Sequence, residues 1–138
     1  MLSADNLVFI SEAGSSAHIN RSAASRFSSL VRYAMVIEDS LDFHRINTEF
    51  NQKTFNENTW IILLSRTGET QGSLTKATNL QRLGCKVLAI TASEDTTLGR
   101  ISDVCLPTYF RPSDNNTSYV PILFLVEELS IVASKMIR

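Results

Sequence analysis

The stretch Trp60–Thr70, WIILLSRTGET, decides how this chain reads. Its first five residues are all apolar, without the alternation of a strand that has one wet face. A short, continuous apolar run is the pattern of a strand covered on both faces, as in a parallel sheet. The next six residues, Ser65-Arg-Thr-Gly-Glu-Thr70, hold three hydroxyls, an arginine and a glycine. Gln71–Leu83 then carries Leu74, Ala77, Leu80 and Leu83 at helical spacing, with Gly84 where a helix C-terminus favours glycine. Strand, polar turn and helix together make half of a βαβ unit.

The same pattern extends in both directions. Asn6–Ile10 (NLVFI), Tyr33–Ile37 (YAMVI), Lys86–Thr91 (KVLAIT) and Val104–Pro107 (VCLP) are four further apolar runs of strand length. In Ala17–Val31 the residues Ile19, Ala23, Phe27 and Leu30 recur at helical steps. Tyr119–Ile137 carries Ile122, Val126, Leu129, Ala133 and Met136, with apolar residues off that stripe as well, so it reads as a helix buried on more than one side. Leu41–Phe50 is expected to be helical, with Asp39 or Ser40 as its N-cap. Phe110–Ser118 (FRPSDNNTS) is polar and turn-rich, the one loop long enough to be a lid. Strands alternating with helices imply an α/β domain, residues 1–138, built as a five-stranded parallel sheet with helices on both faces. The first strand begins near residue 6 with no helix before it, as expected of a piece of a longer chain.

Composition narrows the function classes. Over 138 residues, 13 Lys+Arg face 14 Asp+Glu. Residues 1–69 sum to −2 and residues 70–138 to +1, so averaging hides no basic half suited to nucleic acid. Two cysteines exclude a disulfide framework, and Cys85 and Cys105 are expected as small buried hydrophobes in a reducing cytoplasm. The longest apolar run, Val120–Val126, has seven residues, too few to span a membrane, and no signal peptide opens the chain. His18 and His44 are 26 positions apart, and no His/Cys/Asp cluster has metal-ligand spacing. No metal or other cofactor is implied.

In a doubly wound sheet, ligands bind beyond the carboxyl ends of the strands. Two hydroxyl-rich turns are expected there, Ser11-Glu-Ala-Gly-Ser-Ser16 and Ser65-Arg-Thr-Gly-Glu-Thr70, each opening a helix. A helix N-terminus offers unpaired amides and the positive end of a dipole. Ser and Thr add neutral donors, Gly68 lets the backbone approach an oxyanion, and Arg66 offers a charged fork. The competing reading is that these hydroxyls only cap their helices. Capping needs one hydroxyl, and the second turn has three and an arginine. Glu69 is the objection, since a carboxylate repels a phosphate; placed at the second helical position it would point along the helix exterior.

The residues Ser65, Thr67, Gly68 and Thr70, followed by Gly84, Ile90-Thr91, Leu98 and Asp103, resemble the pattern of the sugar isomerase (SIS) domain family. The resemblance is strong over residues 60–107 and extends over nearly the whole chain by order of elements. It implies a flavodoxin-like sheet, usually dimeric, that binds phosphorylated sugars. In that family the S-x-[ST]-G-x-T turn holds the phosphate, a role that falls here to Ser65, Thr67 and Thr70, with Arg66 in a variable slot. The first turn reads G-x-G-x-S in the family. Here Gly14 and Ser16 match, Ser15 lies between them, and Glu12 replaces the first glycine. Asp39-Ser-Leu-Asp-Phe-His44 looks like the corresponding stretch in sensor domains of RpiR-type transcriptional regulators, which implies a ligand contact for His44. In such regulators DNA is bound by a separate helix-turn-helix domain, which this chain does not contain.

An aldose–ketose isomerase needs a base to move a proton between neighbouring carbons. The candidates are Glu12, His18, His44, Glu127 and Glu128, and spacing identifies no acid–base pair among them. Glu127 and Glu128 are expected on the wet edge of their helix or at a dimer boundary. Residues 66–70 also resemble a flavodoxin phosphate loop, but that loop follows the first strand and has aromatic neighbours, whereas this one follows the third. The expectation is a sugar-phosphate sensor domain, with a phosphosugar isomerase as the alternative.

Overall fold

The computed structural model describes residues 1, 3–11, 17–37, 55–109 and 118–136. The expected helix Leu41–Phe50, the turn residues Glu12, Gly14, Ser15 and Ser16, His44, and residues 110–117 of the expected loop lie outside them.

Five strands, β1 (Asn6–Ser11), β2 (Met35–Ile37), β3 (Thr59–Leu64), β4 (Lys86–Thr91) and β5 (Val104–Pro107), form one sheet. Their order is β2-β1-β3-β4-β5, and every pairing is parallel. This is the flavodoxin-like order, in which the winding reverses between β1 and β3. Among the described residues four helices accompany it: α1 (Ala17–Leu30), α2 (Gln71–Arg82), α3 (Thr97–Ile101) and α4 (Val120–Met136).

Two cores result, one on each face, because successive side chains of a strand point to opposite sides. Leu7, Phe9, Ile62, Leu64, Leu88 and Ile90 face α1 and α4, where they meet Phe27, Ile122 and Val126. Val8, Ile10, Ile61, Leu63, Val87 and Ala89 face the other way, onto Ala77, Leu80, Leu98 and Phe55. The apolar runs are continuous for this reason. Phe9 and Phe27 meet edge to face with ring centroids 5.3 Å apart, and Arg26 Nε donates to Ser130 Oγ at 3.0 Å, joining α1 to α4.

β2 begins at Met35, two residues later than the apolar run suggested, because Tyr33 is exposed and pairing with β1 starts at Met35. α4 starts at Val120 rather than Tyr119. α2 ends as its glycine predicted: Gly84 has φ +97°, its amide donates to Gln81 O at 3.0 Å, and the Cys85 amide donates to Leu80 O at 3.1 Å. That pair of bonds is a Schellman motif.

Asp103, part of the family-like pattern, ties strands together: its Oδ2 accepts the Val87 amide at 2.8 Å. The Asp103 amide in turn donates to Val87 O at 2.9 Å. Parallel ladders repeat every two residues, so the donors facing β4 are due at 103, 105 and 107. Residue 107 is proline and has no N–H. Thr108 and Tyr109 supply the bonds instead, to Thr91 O at 2.8 Å and Ala92 O at 2.7 Å. The ladder stops there, with Tyr109 held at φ +56°.

Candidate functional site

Ser11 and Leu64 are register partners at the carboxyl ends of β1 and β3, the place where the winding reverses. The turn Ser65–Thr70 leaves the sheet beside this point and opens α2. Its shape is fixed from within. Ser65 is buried, its amide donates to Ile90 O at 3.1 Å, and its Oγ accepts the Gly68 amide at 3.1 Å. Thr67 Oγ1 accepts the Glu69 amide at 3.3 Å and keeps its own hydroxyl proton to donate. Gly68 lies at φ +76°, and a β-carbon there would come within 2.5 Å of Thr96 Oγ1 and 2.7 Å of Thr91 Oγ1. Only glycine fits this backbone and this space.

Thr70 is the N-cap residue of α2, at φ −68° and ψ 122°, yet its side chain makes no capping hydrogen bond. Thr96, in the same position at α3, does cap, its Oγ1 accepting the Gly99 amide at 3.0 Å. One residue type in one helical position thus closes one helix and leaves the other open. The first-turn amides of a helix have no intrahelical partner, and those of α2 lie at the positive end of a 12-residue helix that the Thr70 side chain does not cap. Such an arrangement can receive an oxyanion.

Glu69 does not occupy the second helical position, as the spacing suggested. It precedes the N-cap, and its carboxylate reaches α3, where Oε1 accepts the Thr97 amide at 2.9 Å and Oε2 the Thr97 hydroxyl at 2.6 Å. These two bonds, with a smaller effect from Arg100, hold the Glu69 carboxyl below its ordinary range against a small opposing effect of desolvation.

The Arg66 guanidinium lies 5.8 Å from the ring centroid of Tyr119, just ahead of α4. Tyr119 also lines a cavity of about 320 Å³ together with Ile19, Ser22, Val120 and Leu123. A cavity of about 340 Å³ lies along α2, lined by Gln71, Leu74, Thr75, Thr78, Asn79 and Arg82. The smaller cavity shares Tyr119 with the Arg66 contact, and the larger begins at Gln71, the residue after the turn.

Of the expected site residues, the structure therefore brings Ser65, Arg66, Thr67, Gly68 and Thr70 together at the carboxyl end of β3. Of the candidate bases among the described residues, Glu127 and Glu128 are exposed on α4, and His18 falls in the first turn of α1. Sequence reasoning missed Asn20, which is fully buried in α1 and donates from Nδ2 to Phe9 O at 3.1 Å and Ile37 O at 3.4 Å. Its Oδ1 has no hydrogen-bond partner. The available signal was a polar residue set between Ile19 and Ala23 of an apolar stripe.

The model of the SIS domain family matches residues 1–131, and the chain belongs to that family. Among curated proteins it is similar to the glutamine–fructose-6-phosphate aminotransferase (isomerizing) of Corynebacterium efficiens, 40% identical over 57 residues, which are 41% of this chain and 9% of that protein. The match thus covers a small fraction of that relative's length. Among solved structures, the sugar isomerase domain of the RpiR transcription factor from Sphaerobacter thermophilus superposes with a TM-score of 0.81 at 18% identity, over 97% of this chain and 72% of that one. The Vibrio vulnificus NanR protein complexed with ManNAc-6P superposes with a TM-score of 0.77 at 19% identity, over 97% of this chain and 50% of that one. At these identities the likeness is one of fold. Among the described residues no helix is long and apolar enough to cross a membrane.

Proposed function

We propose that this chain binds a phosphorylated sugar, with the phosphate at the N-terminus of α2, and that it is the effector-sensing domain of an RpiR-type transcriptional regulator of sugar metabolism in the cytoplasm. The observation that carries the binding site is the open N-terminus of α2, where Thr70 makes no cap while Ser65, Arg66, Thr67 and Gly68 form the turn in front of it. The sensor role is supported by the kinds of protein that share the fold, a transcription factor and a regulator bound to a sugar phosphate. In this reading Gly14, Ser15, Ser16 and His44 contact the sugar, and a separate helix-turn-helix segment binds DNA.

Replacing Thr67 and Thr70 together with Val keeps their shape and removes two donors. Each hydrogen bond lost to a charged group costs ~1.5–3 kcal/mol of affinity. Titration calorimetry against a panel of hexose phosphates reads the change; unaltered affinity removes the assignment.

The same reading includes a homodimer. Val120, Phe124, Val132 and Met136 are apolar, exposed and spaced along α4. Sedimentation at micromolar concentration should find a species heavier than the 15.4 kDa chain.

A phosphosugar isomerase is the second reading, favoured by the 57-residue match to an isomerizing aminotransferase. Incubation with each bound sugar phosphate in deuterated water separates the two. A sensor binds without turnover, because equal binding of ground and transition states gives no rate enhancement. An isomerase carries solvent deuterium into the carbon beside the carbonyl.

A further inference from the structure

Glu69 stands next to the turn assigned to phosphate, where charge alone disfavours it, since two anions at close range repel. Its geometry shows a different use. The side chain leaves the turn and accepts both the amide and the hydroxyl of Thr97, at 2.9 and 2.6 Å. One residue earlier, Gly68 O accepts the Leu98 amide at 3.0 Å. Two consecutive residues of the turn are thus bonded to two consecutive residues of α3.

The element they hold is itself anchored. Leu98 is fully buried, Thr96 caps the helix, and Arg100 donates from Nε and Nη2 to Asp95 O at 2.9 and 2.6 Å. At its other end the Glu69 residue is fixed through its amide, which Thr67 Oγ1 accepts. The turn is fastened to α3, which in turn packs beside α2, where Gln81 Nε2 donates to Ile101 O at 2.8 Å.

We infer that Glu69 is a positioning residue, which clamps the Ser65–Thr70 turn to α3 and so keeps it in the shape that receives a phosphate. Its negative charge is directed onto Thr97 rather than set against the ligand. This rests on the phosphate reading of the turn given above.

The clamp and the simple charge argument predict opposite signs. If the carboxylate acted on the anion directly, its removal would tighten binding. As a clamp, its removal loosens the turn and weakens binding, because order once built into the free protein must then be imposed by the ligand.

The test compares the wild-type chain with Glu69→Ala and Glu69→Gln. Affinities are measured by calorimetry for inorganic phosphate and for fructose, glucose and N-acetylmannosamine 6-phosphates, and amide hydrogen exchange is followed at Thr97 and Leu98. Glu69→Ala should weaken binding roughly fivefold or more, with faster exchange at both amides. Glu69→Gln, whose amide oxygen still accepts one of the two bonds, should lie between Ala and wild type in both measurements, and it decides the matter alone if Glu69→Ala does not fold. Wild-type binding together with equal or tighter binding by the variants overturns the clamp and leaves the phosphate site standing. A wild-type chain that binds none of the four probes overturns the phosphate site, and the positioning role with it.

Discussion

Thr96 presses against the backbone of Gly68: a β-carbon on that glycine would lie 2.5 Å from the Thr96 hydroxyl oxygen and 2.6 Å from its β-carbon. The same hydroxyl caps α3 by accepting the Gly99 amide. A side chain at position 68 therefore displaces a cap as well as straining a turn. Gly68→Ala should cost about 1–3 kcal/mol from its positive φ alone, and about 1 kcal/mol more if the Thr96 cap is lost. Chemical denaturation of the variant beside Thr96→Val sets the two contributions side by side, since the second variant leaves Gly68 in place and removes the cap together with the bond the Thr96 hydroxyl donates to Ser93 O at 2.8 Å.

Thr91 gives a prediction of the opposite sign. Its side chain is fully buried below the turn, and its hydroxyl has no hydrogen-bond partner. Leaving such a group unsatisfied is costly, so replacing the hydroxyl by a methyl group should stabilise the fold. Thr91→Val is expected to gain about 1 kcal/mol, read as a higher denaturation midpoint at unchanged slope.

The Glu69 clamp carries a pH dependence whose direction follows from the lowered carboxyl. A group whose pKa falls on folding contributes stability that is present above its unfolded value and lost as pH drops through the folded one. The ordinary value is 4.5, and the bonds from Thr97 move it down. Stability from this group should therefore be constant between about pH 6 and 8, and decline only below the ordinary carboxylate range. The side-chain carboxyl carbon of Glu69, followed by NMR against pH, should titrate below 4.5 in the wild type and return towards that value in Thr97→Val.

Burial raises the Cys85 thiol to about 12. Cys105 is also raised, by burial first and then by Glu94. Since the thiolate is the nucleophile, Cys85 should resist iodoacetamide at neutral pH for as long as the chain stays folded. Mass spectrometry after alkylation in buffer and in urea should find Cys105 modified first and Cys85 only as unfolding proceeds.

The parts of this fold that the sequence makes legible are those set by local chemistry. β4 and β5 have the bounds their apolar runs suggest, and Gly84 ends α2 as a glycine after a helix should. The turn Ser65–Thr70 was readable because its hydroxyls and glycine are contiguous. Where the reading stopped, distance along the chain was the reason. α3 has five residues, too few to show apolar periodicity, and Thr96 was its one local sign. The bonds from Glu69 to Thr97 span 28 positions, and nothing near either residue announces them. Arg66 against Tyr119 is separated still further, and depends on α4 packing back across the sheet beside α1.

The division of the core into two faces has a consequence for how substitutions combine. Phe27 belongs to the packing under α1 and α4, and Leu80 to the packing under α2 and α3. Between them stands a sheet whose main chain is engaged in its own ladders, so neither side chain can relax into space left by the other. Their truncations to Ala, each worth about 2–5 kcal/mol, should then be additive to within about 0.5 kcal/mol. Phe9 and Phe27 share one face and touch, and their double truncation should deviate from the sum. The sheet acts as an insulator, and a perturbation on one side of it is local to that side.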